Sequence, residues 1–215
     1  MTLTDTTRYE LPPSGITLLG YVVRRMHKTE LLREASQRLA LGQTEKALAQ
    51  IALYAAASST SFGPAYYQPQ FNCSGDTVSE RDPETNANVT ARLEATSPHY
   101  LISYTAEIPN GDTFSGRESI TGTTVGLRGL GMPAPSKFTF TSGDYRAELT
   151  GLITSELALS LFGNTRIRAY GSLDFSDSAG NRGTLKIERS GDVHLKLNET
   201  RPEAHSLLGL GWREA

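Results

Sequence analysis

The sequence predicts an α+β fold: an N-terminal helical segment, read as an αα-hairpin, followed by an antiparallel β meander of about eight strands. Three observations carry this. Apolar residues recur at helical spacing before residue 58 and at period two after residue 88. Glycine followed by Asp or Asn punctuates the second region at Gly111, Gly143, Gly163, Gly180 and Gly191, where tight hairpins need positive φ. The alternating segments leave one face apolar and the other polar, as antiparallel sheets do.

The helical segment comes first. Residues 1–13 are polar and end in Pro12-Pro13, which suits an extended arm. Leu18, Leu19, Val22, Val23 and Met26 then fall on one helical face, with Gly20 as a weak point. Thr29 is placed to cap a helix carrying Leu31, Leu32, Ala35 and Leu39, and Gly42 to stop it. Thr44 is placed to cap a second helix through Leu48, Ile51, Ala52 and Ala55, whose alanine content favours the helix intrinsically. The apolar stripe of this hairpin must be covered by something.

The expected organisation is an arm and helical segment over 1–60, an aromatic and polar loop over 61–88, the sheet over 89–200 and a tail over 201–215. The loop carries Phe62, Tyr66, Tyr67 and Phe71, which suit a segment laid over an apolar surface rather than a free linker. In the sheet, Tyr100, Ile102, Tyr104, Ala106 and Ile108 share one face. Tyr145, Ala147, Leu149 and Gly151 share another, followed by Ile167, Ala169, Gly171, Leu173 and Phe175, then Leu185 with Ile187, and Val193 with Leu195 and Leu197. About eight strands suffice to close a small barrel, which is favoured here over a two-sheet sandwich. Such a barrel with helices at one end broadly resembles lipocalin-like and cyclase-like barrels in architecture, which implies nothing about chemistry by itself.

Composition narrows the function classes. The 215 residues are 38% hydrophobic and 20% charged, with a formal charge of −2. That balance disfavours general affinity for nucleic acid or an anionic membrane. Cys73 is the only cysteine, so no intramolecular disulfide forms. The opening residues do not read as a secretory leader and no apolar run is long enough to span a bilayer, so the expected location is cytoplasmic.

Motifs for known chemistry are missing. His27, His99, His194 and His205 lack a second ligand at metal-binding spacing. No G-x-S-x-G elbow occurs, and Cys73 has no nearby histidine in sequence. The segment 126–131, Gly-Leu-Arg-Gly-Leu-Gly, lacks the order and context of a nucleotide-binding loop. Neither a cofactor nor a metal is expected.

Glu118 stands apart. It shares parity with Phe114, Gly116 and Ile120, which points it inward, with Arg117 facing the other way. A β-bulge at Gly116 would flip the register and return Glu118 to solvent. The expected interior mixes large residues with small ones, which leaves room for neighbouring side chains or for a ligand. Tyr100, Tyr104, Tyr145, Ala147 and Ala169 are the candidate ligand-binding set, and Glu118 with Tyr104 the candidate catalytic pair. The first functional reading is a barrel binding a hydrophobic small molecule, able to act as a cyclase or isomerase by shaping its substrate. The second is a non-catalytic accessory subunit docking on a partner protein, or on a second copy, through its N-terminal helices. No motif decides whether the protein is an enzyme.

Overall fold

The computed structural model describes Val23 and residues 28–66, 77–96, 99–121, 136–159, 165–190, 192–198 and 203–206; of these, the side chains of 59–66, 93–100, 119–121, 154–169 and 203–206 are outside the description. Val23 is helical and fully buried, in keeping with the first apolar face read from the sequence. The remaining residues of that face, the arm, Cys73 and the glycine-rich segment 122–135 lie outside the described residues.

Helix α1 (Glu30–Ala40) buries Leu31, Leu32, Ala35 and Ser36. It ends where Gly42 enters the left-handed region at φ 70°. There the Gly42 N–H donates to the Leu39 carbonyl and the Gln43 N–H to the Arg38 carbonyl, both at 2.9 Å, the paired bonds of a Schellman stop. Helix α2 (Thr44–Tyr66) follows at once. It runs beyond Ala57 into the stretch expected to be loop, because extending a formed helix gains a hydrogen bond for each residue ordered, even through weak helix formers.

Ten strands follow among the described residues: β1 (Thr77–Arg81), β2 (Asn88–Thr96), β3 (His99–Glu107), β4 (Thr113–Thr121), β5 (Ser136–Ser142), β6 (Tyr145–Leu159), β7 (Thr165–Asp177), β8 (Arg182–Ile187), β9 (Asp192–Leu197) and β10 (Glu203–Ser206). They pair in sequence order, and every ladder is antiparallel. The meander is therefore as expected, with two more strands than about eight. One of them, β1, falls in the expected loop, and β10 falls in the expected tail. Among the described residues no ladder joins β1 to β10. The described sheet is thus open at both edges, not the closed barrel that strand number alone favoured; strand count permits closure without requiring it.

Two inward glycines let β6 and β7 approach closely, Gly151 opposite Leu173 and Gly171 opposite Ile153. Gly151 and Gly171 stand on β6 and β7, and a side chain at either would run into the neighbouring strand's backbone. Such close approach needs glycine and lets a long strand pair turn.

The core lies between the sheet's inner face and α2, which packs mainly on β6 and β7 and touches β4 and β9. Every residue from 51 to 58 of this helix is buried. A helix enclosed on all sides can be apolar on all sides, so over 51–58 the single stripe expected for the hairpin is replaced by burial of every side of α2. The stripe of α1 joins the same core.

Meander parity sorts the connections. The β1–β2, β3–β4, β5–β6 and β7–β8 turns lie at one end of the sheet. Both helices are tied to that end. The Thr29 hydroxyl donates to Asp82 Oδ2 at 2.6 Å and contacts the Thr85 hydroxyl, both in the β1–β2 turn. The Asn181 amide donates to Thr44 Oγ1 at 3.0 Å from the β7–β8 turn. The two threonines expected to cap helices are found at the helix starts, but their side chains reach out to hairpins instead.

Candidate functional site

The ladder between β3 and β4 is unbroken: Tyr104 pairs with Gly116 and Ile102 with Glu118. No bulge resets the register, so Glu118 keeps its inward parity and is only 6% exposed. Tyr104 is 2% exposed. Both candidate catalytic residues therefore sit on the inner face, on adjacent strands and one inward row apart.

The helix adds two groups that the sequence reading did not single out. Tyr54 packs edge-on against Phe114, with ring centroids 4.8 Å apart. Ser58, one turn later, is buried beside both tyrosine hydroxyls without a well-formed hydrogen bond to either. Tyr54, Ser58, Tyr104 and Glu118 form a polar cluster within an apolar interior. Around it, Tyr104, Phe114 and Phe138 make a stacked and tilted aromatic group with centroid separations of 5.9 to 6.3 Å.

Burial controls the charge of these groups. It pushes the Tyr104 hydroxyl well above the usual phenol range, and the Glu118 charge and Tyr54 push it further. Burial likewise raises Tyr54, with the Asp82 and Glu30 charges adding and Ser58 opposing. Both phenols are thus protonated donors at neutral pH. Beside a carboxyl group they can hold an oxygen of a bound molecule from one side and exchange a proton with it from the other.

The candidate ligand set divides. Ala147 is fully buried on β6, in the row of Ala106, Phe114 and Phe140. Tyr145 lies one row nearer the turn end. Its hydroxyl donates to Asp177 Oδ2 at 2.9 Å and its ring meets Phe140 edge-on, so it closes the core rather than joining the cluster. Tyr100 and Ala169 are placed by backbone register alone, opposite Ile120 and Ser155; their side chains lie outside the described residues.

The row of Glu118 differs from the others. Continuing the β4–β5 register sets Ser136, itself buried, opposite Glu118, and Ser136 pairs with Gly151. A carboxyl group and two small residues thus follow one another across three strands, while the next row toward the turn end holds Tyr104, Phe138 and Leu149. The small pair had a sequence signal in Gly151; Ser136 and Tyr54 gave none without the register.

Among the described residues, no group of three or more His, Cys, Asp or Glu side chains is placed to hold a metal ion. No helix among them is long and apolar enough to cross a membrane. Two grooves, of about 580 and 550 Å³, open on the outer face of the sheet. The larger mixes Glu148 and Asp174 with Arg182 and Lys196. No protein-family model matches the chain, and no curated protein matches its sequence.

Proposed function

We propose that the protein binds an apolar small molecule bearing one hydrogen-bonding oxygen, in the interior beside Glu118 and toward the end of the sheet remote from the helix ties. The observation that carries this reading is the inward Tyr104–Glu118 pair set next to the small residues Ser136 and Gly151. A mostly apolar recess with a few convergent polar groups is what small ligands select. The rows toward the turn end carry the aromatic group of Tyr104, Phe114 and Phe138, whereas small residues follow Glu118 in its own row, which supports that row as the place for a guest. Turnover by this site, as in a cyclase or isomerase, would use the same two groups: Tyr104 to donate to the oxygen and Glu118 to move a proton.

Docking on a partner through the N-terminal helices gains no support from the fold. The apolar stripe of α1 and all sides of α2 over 51–58 are spent inside the chain.

Native mass spectrometry of freshly purified protein should show a bound mass above that of the chain, and Nile red, a neutral apolar dye, should be taken up after that mass is removed. Ser136→Leu should abolish uptake while the protein still unfolds cooperatively. A bare chain mass together with no dye uptake by the wild type would overturn the reading.

A further inference from the structure

The outer face of β1–β5 carries a pattern independent of the interior. Register aligns Arg92 with Ser103, Ser103 with Arg117, and Arg117 with Lys137. This is one straight row across four strands, three of its four members cationic. The next row is entirely hydroxyl: Thr90, Thr105, Ser115 and Thr139. Both rows line the groove of about 550 Å³, with Thr77 at one rim and the Tyr104–Gly116 pair as its floor. No carboxylate lines it.

Arg117 and Lys137 are the informative pair. They are direct cross-strand neighbours, about 5 Å apart by strand spacing. Like charges in that position destabilise a sheet. Both are exposed, and among the described residues neither has a carboxylate or a hydrogen-bond partner. Arg92, two strands from Arg117, already makes a contact of its own. On a chain of net charge −2, gathering cations here without acids is a local arrangement, not a consequence of composition.

We infer that this groove is a binding site for a soluble small molecule bearing a diphosphate or similarly compact pair of phosphate groups. Arg117 and Lys137 neutralise the anion, with Arg donating in its planar fork, and the threonine and serine hydroxyls donate to the remaining oxygens. The groove's volume falls in the range of small-molecule sites. A long polyanion fits less well, since the chain is acidic overall and no aromatic ring stands in these outward rows for bases to stack on.

The test uses inorganic pyrophosphate as the probe, with calorimetry and thermal unfolding at low salt. Pyrophosphate should bind the wild type and raise its unfolding temperature, and added salt should weaken it. Arg117→Gln and Lys137→Gln should each weaken binding at least tenfold. Without pyrophosphate, each variant should unfold at or above the wild-type temperature, because a like-charge contact is removed. Single-stranded RNA and vesicles of phosphatidylglycerol are run beside it. No binding of pyrophosphate at millimolar concentration, undiminished binding in both variants, or binding of RNA or vesicles without pyrophosphate would each overturn the assignment. So would clear destabilisation of both unliganded variants.

Discussion

The far end of the Tyr104 ring occupies the space where a side chain at Gly116, its cross-strand partner, would begin. The pair keeps β3 and β4 in register and carries the tyrosine hydroxyl toward Glu118 and Ser58.

Gly116→Ala should therefore destabilise the protein by about 1–3 kcal/mol, as overpacking of a dense core does. Combined with Tyr104→Ala the losses should add to less than their sum, since the second change removes the ring that the new methyl meets. Urea unfolding of the four proteins measures this. Strict additivity would mean that the two residues do not share the contact.

Alkaline pH should expose the two buried phenols. Tyr54 and Tyr104 hold their protons more tightly in the folded state than in the unfolded chain, where a tyrosine titrates near 10. Their contribution is thus complete below about pH 10 and is lost as pH rises toward the folded values, because the unfolded chain releases protons first. Unfolding midpoints from pH 8 to pH 11 should fall more steeply in the wild type than in Tyr54→Phe/Tyr104→Phe. Equal slopes would place both hydroxyls in solvent.

The tie between α1 and the β1–β2 turn is a third target. Asp82 is 1% exposed and accepts the Thr29 hydroxyl. Asp82→Ala leaves that buried hydroxyl with a poorer set of partners and should cost about 1–3 kcal/mol. Hydrogen exchange should quicken in α1 before it quickens in β6 and β7. Unchanged protection in α1 would show that the helix is held by its apolar contacts alone.

Ala147 tests whether the turn-end interior is full. It is wholly buried on β6, the strand against which α2 packs. Ala147→Leu should cost about 1–3 kcal/mol and leave Nile red uptake at the Glu118 end in place. A neutral substitution there would reveal empty space beneath the helix.

Much of this was legible in the sequence. Alternation along 100–108 and 145–150 put Ala106, Ala147 and Leu149 inside and Glu107, Arg146 and Glu148 outside, as the fold has them. Parity pointed Glu118 inward but left a bulge at Gly116 as a rival that would expose it, and only the unbroken β3–β4 ladder decides for burial. Gly111, Gly143 and Gly180 have positive φ in their turns, as hairpin chemistry required. Other features had weak local signals. β1, Thr-Val-Ser-Glu-Arg, is a mostly polar strand held by its ladder with β2, with Val78 alone of its residues packed against the core. β5 follows directly on a stretch rich in Gly and Pro, which hid its Phe138 and Phe140. The roles of Thr29 and Ser58 depend on partners far along the chain: 53 residues separate Thr29 from Asp82. Periodicity carries no information at that separation. The enclosure of α2 was hidden for the same reason, since a helix shows which residues are apolar but not how many sides will be covered.

Enclosure of α2 also orders events during synthesis. The helix leaves the ribosome before any strand that covers it, with apolar residues on every side and β6 to β9 still unmade. Its partners are roughly a hundred residues downstream, so the core closes through distant contacts, which is slow and leaves sticky surface exposed in the meantime. The sheet thus assembles on a helix already present. A nascent chain halted before β6 would thus be the form most in need of a chaperone.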